Sequence, residues 1–251
     1  MLGAREMRDV RDRIVYEDNH FICINKRVGE LVQGDATGDR SLVSVLQEYI
    51  AQRDGKRGLA FVQPVHRIDR PVSGAVLFAK TSKGLSRMNE MLRRHAVRRI
   101  YWAVTEAQLP ELEGELRGYA QRDSARNKTY VRESSHGRDK EVELRYRMLG
   151  ASDKYYLYEV ELHTGRHHQI RAQLAKAGAA IRGDLKYGAR RSIAGGGIDL
   201  HARSLDFEPP GRGGAVSRPG PPAGGAAVGF VRVGSTRGDG QRKVVGSEIK
   251  C

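Results

Sequence analysis

Cysteine is almost absent: Cys23 and Cys251 are the only two in 251 residues. That excludes a disulfide-stapled scaffold, fits a reducing cytoplasm, and leaves Cys23 as a small hydrophobe in an apolar run. No run of eighteen apolar residues exists and no lipidation motif is evident, which argues against a membrane protein. The opening Met1-Leu2-Gly3-Ala4-Arg5-Glu6 runs into charge rather than a secretory apolar segment. No glycine loop of the phosphate-cradling kind occurs. Hydrophobic residues, at 39%, are at the low end for a globular enzyme, although the length suffices for a core. Acidic residues are also in deficit, with 30 Asp and Glu against 44 Lys and Arg, a net charge of +14. Such an excess suits a polyanionic partner, because each phosphate neutralised releases counterions. Without a membrane signal, nucleic acid is the better match.

What is present is an interspersed pattern of strands and helices without regular βαβ alternation, which points to an α+β architecture. Residues 1–12 read as an N-terminal extension. A hairpin is expected from Arg13-Ile14-Val15-Tyr16 and Phe21-Ile22-Cys23-Ile24-Asn25, and a helix over Leu42 to Ile50 behind Ser41 as N-cap. A strand over Ala75 to Lys80, a helix from Ser82 to about His95 and a strand Ile100 to Val104 follow. Val142, Leu144, Tyr146 and Met148 alternate with charge, as do Tyr156, Tyr158, Val160 and Leu162 across the turn Gly150 to Asp153. They predict a long antiparallel hairpin with one buried face. The charged stretch Arg122 to Lys140 reads as a mobile, solvent-facing loop. A helix from about His167 to Ala177 ends at Gly178 as C′ residue. From Gly211 to Cys251 there are 11 glycines, one aromatic and seven Lys or Arg against two acids. That tail supplies +5 of the charge, leaving +9 on the preceding residues, and has little with which to offset the entropy of ordering. It is either a poorly ordered basic tail or non-native coding sequence.

Two clusters carry chemistry. In His66-Arg67-Ile68-Asp69-Arg70-Pro71-Val72-Ser73-Gly74 a carboxylate stands between two arginines just before an apolar strand. Nearby positive charge favours the charged form of a carboxylate, as a nucleophile requires. A structural ion pair is the plainer reading. In Leu162-His163-Thr164-Gly165-Arg166-His167-His168-Gln169-Ile170-Arg171 a strand passes through a glycine turn into a helix crowded with cations. Arg171 there either faces a cleft and pairs with a carboxylate or is a solvated helix residue. His163, His167 and His168 match no standard metal-ligand spacing, so no metal is expected; surface or nucleic-acid-facing side chains are the better reading.

Together these segments resemble the RluA-type pseudouridine synthases. The matching stretches are residues 66–81, 98–104, 162–188 and 200–210, with a similar opening over 13–35, in that family's order and spacing. Val72 replaces a usual hydroxyl residue, His167 a usual threonine, Gln173 a usual histidine and Val28 a common proline. The family's closing strands are absent after Pro210. The resemblance implies a pseudouridine synthase fold over residues 13–210: a long bent mixed or antiparallel sheet, flanking helices and a central active-site cleft. It implies isomerisation of uridine in rRNA or tRNA without cofactor or metal, by a cytoplasmic monomer. Asp69 would be the catalytic carboxylate, Arg171 its partner and Tyr101 the aromatic that stacks on the base, where a buried strand tyrosine is the plainer reading. His66, Arg67, Arg70, Arg166, His168, Gln169 and Ile170 would bind RNA and the flipped base. The alternatives are a non-catalytic RNA-binding or ribosome-assembly protein of the same fold, and a metal-dependent RNA hydrolase built on the histidines.

Overall fold

The apolar run after Asp69 becomes the strand on which the molecule is built. The structure, a computed structural model, describes residues 1–207 and the strand Phe230–Val233. In chain order the elements are α1 (Ala4–Arg13), β1 (Ile14–Glu17), β2 (Phe21–Lys26), α2 (Leu42–Arg53), β3 (Gln63–Pro64), β4 (Ser73–Ala79), α3 (Ser82–Arg93) and β5 (Arg98–Thr105). They continue with β6 (Glu113–Asp123), β7 (Lys128–Arg132), β8 (Lys140–Ala151), β9 (Tyr156–Leu162), α4 (Gln169–Lys176), a 3-10 turn (Leu185–Tyr187), β10 (Leu200–Phe207) and β11 (Phe230–Val233). The expected α+β class holds. The strands form one mixed sheet in the order β1-β2-β4-β10-β5-β9-β8-β6-β7, with β3 on β4 and β11 parallel to β10.

Local chemistry sets the ends of several elements. The Ser41 hydroxyl accepts from the Ser44 N–H at the start of α2, and the Thr81 hydroxyl from the Gly84 N–H at the start of α3. Gly178 follows α4 at φ +84°, the left-handed C′ position that glycine fills without strain. At the middle of the sheet β10 runs parallel to β4 only at His201–Ser73 and Ala202–Gly74. Gly74 has φ +116°, and a Cβ there would strike the backbone of Ala202. This close approach brings the Asp69 loop to the centre of the sheet.

Three expectations change. Residues 1–12 are no mere extension: α1 packs on β2 and α2, with Leu2 and Val10 buried. The stretch Arg122 to Lys140 is not loop throughout: β7 pairs with β6 from Tyr119–Arg132 to Asp123–Lys128 with Thr129 buried, and residues 133–138 remain an exposed turn segment. Its few large aliphatics hid a strand whose inward residue is polar. The helix expected from His167 begins at Gln169, since His168 adopts a left-handed conformation, φ 52°. The tail from 211, apart from β11, and the expected domain end at 210 lie outside the described residues.

Candidate active site

Asp69 lies between β3 and β4 in a turn closed by the Val72 N–H donating to the Asp69 carbonyl at 3.0 Å. A buried lysine holds that turn from below. Lys26, at the end of β2, donates from Nζ to the carbonyls of Arg27 at 2.9 Å, Arg70 at 3.1 Å and Val72 at 2.6 Å. Burial pushes the Lys26 pKa down to about 8, with Glu30 and Asp69 opposing the shift. Lys26 carried no signal in the sequence beyond a charge at the end of a strand that is apolar from Phe21 to Ile24.

The two flanking arginines do not supply the charge at Asp69. Arg70 turns away to Asp39, 2.7 Å, and to the Gly29 carbonyl, 3.0 Å, while Arg67 is exposed at the mouth of the cleft. The cation is Arg171, 102 positions along the chain, whose Nη1 donates to Asp69 Oδ2 at 2.9 Å. Its other face is closed: Nε and Nη2 donate to the two carboxylate oxygens of Asp184 at 2.6 and 2.8 Å, and the Tyr187 ring packs against it, 5.0 Å from the guanidinium carbon. Burial disfavours the Arg171 charge, but the bonds to Asp184 and then Asp69 outweigh it and hold its pKa above the ordinary arginine value. Asp184 and Tyr187 belong to a segment, Gly183 to Gly188, to which sequence reading gave no role.

The histidines separate rather than converge. His168 stacks on His167, with ring centres 3.7 Å apart, and its Nδ1 lies 3.0 Å from the Tyr187 hydroxyl. That hydroxyl also accepts the Thr129 N–H at 2.8 Å. Nε2 of His168 lies 3.5 Å from Asp69 Oδ2, beyond a good hydrogen bond. Burial and the nearby Arg171 press the His168 pKa down to about 2, so the ring is neutral. His167 bonds to Thr129, and His163 Nδ1 stands 3.1 Å from Glu143. Among the described residues no three His, Cys, Asp or Glu side chains gather as a metal site.

The remaining predicted residues divide by depth. Tyr101 on β5 and Ile170 on α4 are buried in the same apolar cluster and line the cleft with Asp69, Val72 and Leu200. Burial raises the Tyr101 pKa, so its phenol keeps the proton at neutral pH. Arg166 is exposed at the rim with Arg67 and Arg122. His66 and Gln169 serve the protein: His66 Nε2 accepts from the Leu77 N–H, and the Gln169 amide bonds Thr164, Arg166, Glu143 and Gln173. His168, expected to meet RNA, is likewise buried. The cleft has a volume of about 760 Å³, with an apolar floor, one carboxylate and a basic rim.

Comparison with known proteins shows the family. The family model for RNA pseudouridylate synthase matches residues 20–176, which spans Asp69, Tyr101 and Arg171. The chain belongs to that family. Within it the relatives are of the RluA type. The chain is 32% identical over 212 residues to ribosomal large subunit pseudouridine synthase D of Zymomonas mobilis, covering 80% of this chain and 66% of that protein. It is 33% identical over 175 residues to an uncharacterized RNA pseudouridine synthase of Bacillus subtilis, covering 70% of this chain and 57% of that one. The chain thus spans less than two thirds of the length of these relatives. The solved structure of human RNA pseudouridylate synthase domain containing 4 matches with a TM-score of 0.66 at 21% identity, over 79% of this chain and 85% of that one, which shows the pseudouridine synthase fold.

Proposed function

We propose that this pseudouridine synthase family member converts uridine to pseudouridine in large-subunit ribosomal RNA, with Asp69 as the catalytic carboxylate. The observation that carries the proposal is the 2.9 Å pair between Asp69 and Arg171 on an apolar cleft floor beside a buried tyrosine. The isomerisation breaks N1–C1′, forms C5–C1′, removes the proton at C5 and places one on N1. It is balanced in atoms and electrons, so it needs no co-substrate. Asp69 attacks either C1′ or the base to free the uracil for rotation. Arg171 cannot act as a base, because guanidinium does not deprotonate; it orients the carboxylate. Tyr101, protonated at rest, forms a stacking wall, and Ile170 supports the opposite side of the ring. Flipping the base into the cleft costs a few kcal/mol, which contacts of Arg67 and Arg166 with the RNA offset. The names of the relatives favour ribosomal over transfer RNA, and both a monomeric state and a cytoplasmic site follow as parts of this proposal. No helix among the described residues is long and apolar enough to cross a membrane.

The test is pseudouridine mapping on unmodified large-subunit rRNA and tRNA transcripts treated with the wild type or with Asp69→Ala. The expected result is conversion at defined rRNA sites by the wild type and a loss of at least about a thousand-fold in the variant, as for removal of other nucleophiles. Conversion of tRNA alone would move the substrate. Binding without conversion would replace catalysis with an RNA-binding role, and chelator-sensitive cleavage of the transcript would replace it with metal-dependent hydrolysis.

A further inference from the structure

Two part-buried or buried arginines line the cleft, and only one is paired. Arg171 is answered by Asp69 and Asp184, whereas among the described residues no carboxylate pairs with Arg99 on β5, whose bonded partners are main-chain carbonyls. We propose that Arg99 forms a phosphate subsite of the cleft, taking the RNA phosphodiester next to the flipped uridine. This rests on the proposed activity and adds a subsite to it.

The head of Arg99 is fixed but not neutralised. Its Nη2 donates to the carbonyls of Leu162 at 3.1 Å and His163 at 2.8 Å. Nη1 lies against Gly165, so close that a Cβ there would stand 2.6 Å away, and both residues line the cleft. Nε is buried with no partner among the described residues. Beside it, His66 accepts the Leu77 N–H on Nε2, so its neutral ring carries the proton on Nδ1, which is likewise buried without a partner. Burial pushes the Arg99 pKa below the ordinary arginine value, whereas at Arg171 the carboxylates outweigh burial. A cation withdrawn from water without an anion is costly, and an anion entering this end of the cleft offsets that cost. Arg93 and Arg166, exposed around the same end, extend the positive field. The position suits a phosphate of the bound strand. Arg99 and Tyr101 lie two residues apart on one face of β5, about 7 Å along the strand, within the span of one nucleotide from base to phosphate. A guanidinium meets phosphate oxygens with directed, charge-assisted hydrogen bonds.

The experiment uses the full chain and short rRNA fragments carrying the converted uridine, with a neutral methylphosphonate in place of the phosphate on its 5′ or its 3′ side. Wild type and Arg99→Gln are compared by filter-binding Kd over a salt series, with melting temperature read alongside. One of the two replacements is expected to weaken wild-type binding about ten-fold, the worth of one charge-assisted hydrogen bond. Arg99→Gln should weaken binding of the all-phosphate fragment about as much and lose nothing further from that replacement. Its slope of log K against log salt should be shallower by about 0.7–0.9, one phosphate contact. Losses that multiply when the two changes are combined, an unchanged slope, or indifference of the wild type to both replacements would overturn the proposal. Arg99→Gln also gives up the Leu162 and His163 carbonyls. If it does not fold, Arg99→Lys takes its place, since a point charge cannot hold two carbonyls and a phosphate together. The methylphosphonate penalty is then expected to shrink, and an undiminished penalty would overturn the proposal. The salt slope needs no converted uridine. On any large-subunit fragment the chain binds, a slope shallower by one contact without conversion would leave the subsite standing and refute the activity; conversion with an unchanged slope would do the reverse.

Discussion

In β4 six consecutive residues, Gly74 to Ala79, are buried, whereas in β8 Val142, Leu144 and Tyr146 are buried and their neighbours are more open. β4 has an apolar cluster on each face: Val76 and Phe78 enter one, Ala75, Leu77 and Ala79 the other. β8 has a core on one face only. Its other face is a ladder of charge pairs, Arg145 with Glu115 and Arg147 with Glu159, continued by Arg98 with Glu161. Asp69 belongs to the first region and is held by main-chain contacts, through Lys26 and the β4–β10 approach. Arg171 belongs to the second region and is held by side chains, through Asp184 and Tyr187. The Asp69–Arg171 pair therefore joins a part of the molecule with little freedom to change to a part built from exchangeable polar contacts.

Changes in the first region should cost most. Gly74→Ala adds a Cβ at φ +116° that strikes Ala202, and nothing there is a flexible side chain that can move aside. A loss of about 3–4 kcal/mol is expected in urea unfolding, at the upper end for single substitutions. A loss under 1 kcal/mol would show that β4 and β10 part easily. Lys26→Met should follow, at about 2–3 kcal/mol. The buried charge disappears, but the carbonyls of Arg27, Arg70 and Val72 lose their shared donor. The Asp69 turn should loosen, lowering the single-turnover rate more than RNA affinity; an unchanged rate would separate the anchor from catalysis.

Buried histidines test both regions at once. His66 is held down to about 3, His168 to about 2 and His201 to about 4, in each case by burial first and a nearby arginine second. These folded values lie below the unfolded value of about 6.5, so under that pH the unfolded chain takes up protons the native state refuses. Stability is full above pH 6.5 and falls as pH drops from there toward 4, by up to about 1.4 kcal/mol per unit for each histidine. Denaturant unfolding between pH 7 and 4.5 measures the slope. His201→Gln, which keeps a polar group near Ser73, should reduce the slope by one proton, and an unchanged slope would remove His201 from the set.

The same contrast governs what was legible in the sequence. Strands with a simple apolar pattern, the β8–β9 hairpin and β4, could be read because burial alone determines them. So could the caps at Ser41 and Gly178, where one residue type suits the backbone. Asp69, Tyr101 and Arg171 came from the resemblance, and the structure brings Asp69 and Arg171 into contact. What stayed hidden was polar burial. β7 turns Thr129 inward, Gln169 and His168 spend their polar atoms on the protein, and Lys26 and Asp184 are charges inside the fold. A charged residue in sequence reads as solvated, and only its partners in space, 102 positions away for Asp69, show otherwise. Arg70 is the reverse case: adjacent to Asp69 in sequence, it pairs elsewhere.

The smallest effect belongs to the charge ladder, where sequence and structure agree but energetics should not follow appearance. Arg147 Nη2 and Glu159 lie 3.2 Å apart across β8 and β9, yet the arginine side chain is 61% exposed. In water the Coulomb gain is small, and ordering two long side chains opposes it. A double-mutant cycle of Arg147→Ala and Glu159→Ala is expected to give a coupling of about 0–0.5 kcal/mol, shrinking further in 0.5 M salt. A salt-resistant coupling above about 1 kcal/mol would mean that the ladder acts as a network. The second region would then be stiffened by its open face as well as by its core, and the contrast with β4 would weaken. Additivity would leave Arg171 dependent on Asp184 and Tyr187 for its position.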